Sequence, residues 1–296
     1  MTAIFITATG TDIGKTFVAG GLIQHLRAAG RTIDALKPVA TGFDPGALDA
    51  SDPGILLSAM GRPVTFAEIE RIAPWRFAAP LSPDMAARHE NRTLDFNSLV
   101  DFSRRAIAAH SGMLLIEGIG GIMVPLDETH TVLDWMAALN IPLVLVTGSY
   151  LGSLSHTLTS LDVLRRRELA IKAIVVNETP GSTVPLADTV ETLARFAALE
   201  SDPVIWKRGH AANSASPLPS GEVARRSPKG EGAAGEGLRS IESPIPPHPN
   251  GEREHTVVAA CDSNQMDQTL IPLVALPRLP KAHPQHPAFG EIAALL

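Results

Sequence analysis

The chain has a single cysteine, Cys261, in 296 residues. An internal disulfide is excluded, and a reducing compartment fits. No Cys or His stands beside Cys261 at metal-ligand spacing, so it reads as a small inert side chain. An excess of basic residues is also missing. Lys and Arg number 25 against 31 Asp and Glu, a net charge of −6 with a pI near 5.9. That balance leaves no electrostatic footprint for DNA or RNA. The few basic clusters, such as Arg165-Arg166-Arg167, read as the solvated last turn of a helix. The opening residues, MTAIFITATG, lack the basic stretch and apolar run of a secretory leader. No apolar run approaches the length that spans a bilayer. The expectation is a cytoplasmic protein that binds neither nucleic acid nor membrane.

One glycine is missing as well. Residues 8–16 read ATGTDIGKT and end like a phosphate-binding loop. The strict pattern G-x-x-x-x-G-K-[ST] wants glycine at position 9, which is Thr9; Gly10 comes one place late. The surroundings favour phosphate binding over a helix cap that happens to contain GKT. AIFITA (3–8) is β-rich, and KTFVAGGLIQHLRAAG (15–30) has apolar residues at helical spacing and a terminal Gly30. In a strand–loop–helix unit, N–H groups and the helix dipole face an anion. Lys15 would neutralise phosphate oxygens and the Thr16 hydroxyl would meet Mg²⁺.

The same alternation continues. Strands are expected at 32–39, 112–118, 141–148, 170–178 and 271–280, and helices at 94–110, 153–168 and 185–200. The strands are continuous apolar runs, which marks strands buried on both faces of a parallel sheet. Ligands then sit beyond the carboxyl ends of the strands. Lys15, Lys37, Glu117, Gly148 and Asn177 all fall there. Residues 211–255 break the pattern. They are rich in Gly, Pro, Ser, Glu and Arg, and read as a disordered insertion in a single domain spanning 1–296.

Glu117, in LLIEGIGG, ends a buried strand, where a carboxylate is costly without a partner or a task. Behind a phosphate loop, an acid at this point meets the metal. Gly118, Gly120 and Gly121 permit close backbone approach to a ligand. Lys37, in LKPVATG, is either a second cation facing the crevice of Lys15 or a surface lysine at a strand end; position alone leaves both open. Asp52, in DASDP, reads by itself as a helix N-cap or turn.

Taken together, the chain resembles the dethiobiotin synthetase family. That family's loop has five residues between its first position and GKT, which places the first position at Ala8. Its K-P-V-A-[ST]-G segment matches Lys37 to Gly42, its S-D matches Ser51-Asp52, and its P-x-S-P matches Pro80 to Pro83. Its E-G-x-G-G matches Glu117 to Gly121, and its G-x-x-L-G-x-[IL]-[NS]-H matches Gly148 to His156. Asn177 and the segment Pro272 to Pro277 complete the order. The match covers about 1–200 and 270–296; about 205–268 has no counterpart.

The resemblance implies an α/β fold of the P-loop NTPase type, close to nitrogenase iron protein: a mainly parallel sheet with helices on both faces. It implies a cytoplasmic homodimer. The reaction it implies joins CO₂ to 7,8-diaminononanoate with MgATP, through a carbamate and a carbamic–phosphoric anhydride, to give dethiobiotin. Lys37, Lys15 and Thr11 would be catalytic. Thr41, Ser82, Gly152, Ser153, Leu154 and Ser155 would bind the substrate, the last four as a helix start that takes its carboxylate. Asp12, Ile13, Gly14, Lys15, Thr16, Phe17, Asp52, Glu117, Gly118, Ile119, Gly120, Asn177, Glu178 and Pro277 would bind ATP. Thr16, Asp52 and Glu117 would hold Mg²⁺. His156 would pack or cap.

The chain departs from the family pattern at Ala8, usually glycine; at Gly10, often aspartate; and at Asp12, often glutamate. If position 8 requires a positive φ, its alanine costs ~1 kcal/mol and Gly10 serves as a displaced hinge. A chromosome-partitioning type switch ATPase would need a lysine early in the loop, which is absent. A cobyrinate-type amidotransferase would need a glutaminase cysteine, and Cys261 borders low-complexity sequence. An inactive relative is disfavoured, since every implied catalytic side chain is present.

Overall fold

A computed structural model describes residues 2–200, 271–278 and 285–296. The insertion at 211–255 and Cys261 lie outside the described residues. Six strands form one sheet: β1 (Thr2–Ala8), β2 (Ile33–Leu36), β5 (Met113–Glu117), β6 (Leu143–Gly148), β7 (Ile171–Asn177) and β8 (Leu273–Leu276). Their order is β2-β5-β1-β6-β7-β8, and every pair is parallel. The chain leaves β1 toward one edge and returns through β5 to cross to β6 on the other side. That reversal puts the crevice of a doubly wound sheet at the carboxyl end of β1.

The continuous apolar runs become strands with both faces covered. Ile4, Phe5, Ile6, Leu115, Ile116, Val144, Leu145, Val175 and Val176 are fully buried. Right-handed crossovers send α1 (Lys15–Ala28) to one face and α5 (Phe96–Ala109), α6 (Val132–Leu139), α7 (Ser153–Arg166) and α8 (Leu186–Glu200) to the other. On the first face α1 packs against α2 (Asp52–Ala59) and against α9 (Pro287–Leu295). On the second, Trp135 of α6 meets Phe5 edge-on at 4.9 Å and donates its indole N–H to Ser103 Oγ of α5. A buried indole needs such a partner.

Two sequence expectations change here. The strand expected at 32–39 is two strands. β2 stops at Leu36, and β3 (Val39–Thr41) pairs instead with β4 (Trp75–Phe77) in a separate parallel two-stranded sheet. Pro38 has no N–H for a ladder, and its carbonyl accepts from Trp75 N, while Lys37 N donates to Ile72 O. The break leaves Lys37 between two sheets rather than inside one. The last strand is also shorter than 271–280, and its residues 279 and 280 lie outside the described ones.

The short helices α2, α3 (Phe66–Ile72), α4 (Pro83–His89), α6 and α9 have no counterpart in the sequence reading. At seven to nine residues each they span too few turns for apolar periodicity to stand out. Arg165 and Arg166 do close α7, and Arg166 pairs with Asp162 while Arg167 pairs with Asp134. No helix among the described residues is long and apolar enough to cross a membrane.

Candidate functional site

Five side chains from four segments converge at the carboxyl ends of β1, β2 and β5. Lys15 and Thr16 open α1, Lys37 follows β2, Asp52 opens α2 and Glu117 ends β5. Lys37 Nζ donates to Glu117 Oε1 at 2.7 Å and to Gly118 O at 2.9 Å, and lies 3.0 Å from Asp52 Oδ2. Thr16 Oγ1 donates to the same Glu117 oxygen at 2.7 Å. Lys15 Nζ donates to Gly120 O at 2.9 Å and Gly10 O at 3.2 Å. The surface-lysine reading of Lys37 is thereby excluded, since its side chain is only 2% exposed.

Asp52 is not the N-cap that its local sequence suggested. Ser51 caps α2, accepting from Gly54 N, and Asp52 is the first helical residue. Its carboxylate is therefore free to reach Lys37.

The electrostatics separate the two lysines. Burial pushes Lys15 down to about 8, and the neighbouring charge of Lys37 adds to the fall. Burial works on Lys37 in the same sense, but the charges and hydrogen bonds of Glu117 and Asp52 overcome it and hold the ammonium above its ordinary value. Burial pushes Asp52 up, and Lys37, with help from Thr16, more than reverses that, leaving its carboxyl below its ordinary value.

Glu117 is 1% exposed and its second oxygen, Oε2, is buried with no partner. With the Thr16 hydroxyl and Asp52 it makes a small set of hard oxygen donors. Among the described residues no three acidic, His or Cys side chains form a ready-made metal cage. Two carboxylates and one hydroxyl suit Mg²⁺, which keeps waters and takes the remaining ligands from phosphates.

The loop itself is built differently from its sequence reading. Ala8 is the last residue of β1 and is paired with Val146. Positive φ falls instead at Asp12 (57°) and Gly14 (97°), so the cost assigned to Ala8 does not arise and Gly10 is not the hinge. Gly14 caps α1, and a side chain there would stand 2.3 Å from Asn177 Nδ2. That amide donates to Ile13 O at 2.9 Å, tying the end of β7 to the loop. Gly120 is also left-handed, φ 56°, which turns its carbonyl to Lys15.

The other candidates surround this centre. Asp12, Thr11 and Phe17 are exposed on the loop and first turn, and Ile119 is buried. Phe17 is backed by Phe289 of α9, ring centroids 6.3 Å apart. Glu178 follows β7, and its Oε2 accepts from Arg278 N, next to Pro277. Thr41 ends β3, and Ser82 caps α4 with its hydroxyl donated to Asp84. Gly152 caps α7 at φ 100°, Ser153 is fully buried with Oγ unpartnered, and Leu154 and Ser155 follow it in the first turn. His156 is exposed and packs against Tyr150, ring centroids 5.8 Å apart, with its Nδ1 2.8 Å from the Tyr150 hydroxyl. Sequence reasoning missed Thr9, Thr147 and Thr157, whose hydroxyls join the loop to α7. The signal available was a threonine closing the apolar run LVLVTG.

An AAA domain family model matches residues 2–204. The ATP-dependent dethiobiotin synthetase BioD of Acidiphilium cryptum is 50% identical over 205 residues, covering 69% of this chain and 92% of that protein. The protein of the same name from Methylobacterium nodulans is 46% identical over 203 residues, 67% of this chain and 90% of that one. That of Caulobacter vibrioides is 45% identical over 214 residues, 72% and 94%. Among solved structures, the septum site-determining protein MinD of Pyrococcus horikoshii, complexed with Mg-ADP, aligns at TM-score 0.43 and 18% identity, over 65% of this chain and 77% of that one. Identity near one half, sustained along almost the whole length of the curated relatives, places this chain in the dethiobiotin synthetase family.

Proposed function

We propose that the chain makes dethiobiotin from 7,8-diaminononanoate, CO₂ and ATP, and that the Lys37–Glu117 cluster is where the phosphoryl group moves. The observation that carries the site assignment is the Lys37 ammonium, held charged and 2% exposed at a strand end beside a phosphate loop. One amine of the substrate adds to CO₂ and loses a proton, giving a carbamate. A carbamate oxygen attacks the γ-phosphorus and ADP leaves. The second amine attacks the carbonyl carbon and loses a proton, the urea ring closes and phosphate departs.

Each step needs positioning and charge neutralisation more than a covalent contribution from the protein. N–H groups of residues 10–16 and the α1 N-terminus hold the phosphates. Lys15 leaves the carbonyls of Gly10 and Gly120 for them. Lys37 neutralises the carbamate and the transferring group, with Thr11 and Thr41 as hydrogen-bonding neighbours. Thr16, Asp52 and Glu117 would hold Mg²⁺, which supplies charge neutralisation on the phosphate oxygens. Asn177, with Glu178 and Pro277 nearby, reads the adenine. The α7 start, Gly152 to Ser155, takes the substrate carboxylate across a homodimer, and the unpartnered Ser153 hydroxyl supports that role.

Phosphate release tests the reading. It should require both diaminononanoate and bicarbonate; release that ignores either one sinks the synthetase assignment. Sedimentation of the purified chain tests the dimer, and a monomer at working concentration would remove the shared site.

A further inference from the structure

We propose that Thr147 and Thr157 are positioning residues: their hydroxyls form a directional relay that sets the spacing between the phosphate loop and the start of α7. Thr9 Oγ1 donates to Thr147 Oγ1 at 3.3 Å, the Thr147 and Thr157 hydroxyls lie 2.7 Å apart, and Thr157 Oγ1 donates to Ser153 O at 2.6 Å. The relay spans 138 residues of sequence at its first step. It runs from the first loop residue, past the end of β6, to the first residue of α7.

The direction follows from proton counting. Each hydroxyl has one proton to give. Thr157 gives its proton to Ser153 O, so it accepts from Thr147. Thr147 therefore gives to Thr157 and accepts from Thr9. Thr9 has spent its proton inward, and its oxygen is left able only to accept. An anion in the loop is left to the N–H groups and Lys15.

Burial argues that these hydroxyls have a task. Thr147, Thr157 and Ser153 are 0% exposed, among Val144, Leu145, Val146 and Leu161 of the core. Valine would fill the same space with no polar atom to satisfy, so packing alone does not call for threonine. A threonine bonding back to the carbonyl four residues earlier is common in helices. Here a second buried hydroxyl, from the sheet, sits on top of that bond, and a third, from the loop, sits on the second. Thr9 N also donates to Val146 O at 3.0 Å, so backbone and side chain clamp the same point.

The inference rests on the proposed function in one respect: the loop takes phosphates and the α7 start takes the substrate carboxylate. In a symmetric dimer the α7 start of each protomer serves the phosphate loop of its partner, so a shift of α7 against its own loop misplaces the carbamate relative to the γ-phosphate in the partner's site, and turnover is sensitive to such offsets.

The test compares shape with hydroxyl in the full-length protein, using Thr147→Val, Thr147→Ser and Thr157→Val. Thr147→Val keeps the shape, and kcat/KM for diaminononanoate should fall about tenfold while KM for ATP stays within about twofold. Thr147→Ser keeps the hydroxyl and should recover most of that loss. The Thr147→Val/Thr157→Val double variant should be no worse than the poorer single one, because both break one chain. Amide hydrogen exchange in the first turn of α7 should quicken about tenfold in Thr147→Val and not in Thr147→Ser. A wild-type-like Val variant, or a Ser variant worse than Val, shows a packing role and overturns the proposal. If Thr147→Val does not fold, Thr157→Val against Thr157→Ser carries the same comparison. If the wild type releases phosphate without diaminononanoate, the functional reading falls and the exchange result alone judges the relay: equal rates in Val and Ser overturn it.

Discussion

Lys37 Nζ lies 2.7 Å from Glu117 Oε1, and the two side chains are 2% and 1% exposed. Eighty positions separate them in the chain. Neither charge is tolerable there alone, and the same Glu117 oxygen also receives the Thr16 hydroxyl.

Lys37→Ala should abolish dethiobiotin synthesis and also destabilise the protein, by about 3–5 kcal/mol, because it strands a buried carboxylate. Millimolar Mg²⁺ without nucleotide should return part of that stability by supplying the missing positive charge. Urea unfolding of wild type and variant, each with and without Mg²⁺, checks this. Equal Mg²⁺ responses in the two would show that Glu117 and Asp52 do not hold the metal.

Lys15 makes stability depend on pH in alkaline solution. Its folded value, about 8, lies below its ordinary 10.5, so between those values the unfolded chain binds more protons than the folded one. Stability should therefore rise with pH across that window, with a ceiling on the order of 3 kcal/mol from this group. Lys37 acts in the opposite sense. Its raised value contributes stability that is complete below 10.5 and lost as pH climbs through the folded value. Unfolding free energies from pH 7.5 to 9.5 should slope upward in the wild type and flatten in Lys15→Met.

Gly14→Ala and Gly10→Ala should behave in opposite ways. At Gly14 the methyl meets Asn177 Nδ2 at 2.3 Å on a backbone with φ 97°, so the loop must distort and the bond to Ile13 O is lost. Nucleotide affinity should fall at least tenfold, with about 1 kcal/mol or more of stability. At Gly10 the nearest atom to a methyl is Ile13 Cγ1 at 3.7 Å, ordinary contact. Calorimetric titration with ADP distinguishes the two; a crippled Gly10→Ala would restore that residue as the hinge.

Gly21→Ala should detach the C-terminal helix locally. A methyl there would lie 2.1 Å from the Phe289 ring, which is buried against α1 and also backs Phe17. Phe289→Ala should cost about 3–5 kcal/mol through the cavity it leaves. Amide exchange across 287–295 should quicken in both variants, and nucleotide KM should rise if Phe17 borders the base.

Local residue patterns carried much of the fold. Uninterrupted apolar strands alternating with helices state a parallel sheet, and the glycine–lysine–threonine turn after β1 states where an anion goes. Both signals sit within a few residues of themselves. The split at Lys37-Pro38 was less legible, since TIDALKPV reads as one strand until β4 offers Val39 another partner. Asp52 was obscured for a related reason: capping preferences see only its neighbours, and Ser51 took that role.

By itself, the sequence determined the alternation of elements, the phosphate loop and the family, because each is written in contiguous residues. Tertiary structure decided which charges meet, that Lys37 is buried rather than at the surface, and that Thr147 bridges the loop to α7. Those facts depend on strand order, on which way each side chain leaves its strand, and on how much water remains around a charge. All three are settled only when segments far apart in the chain are packed together.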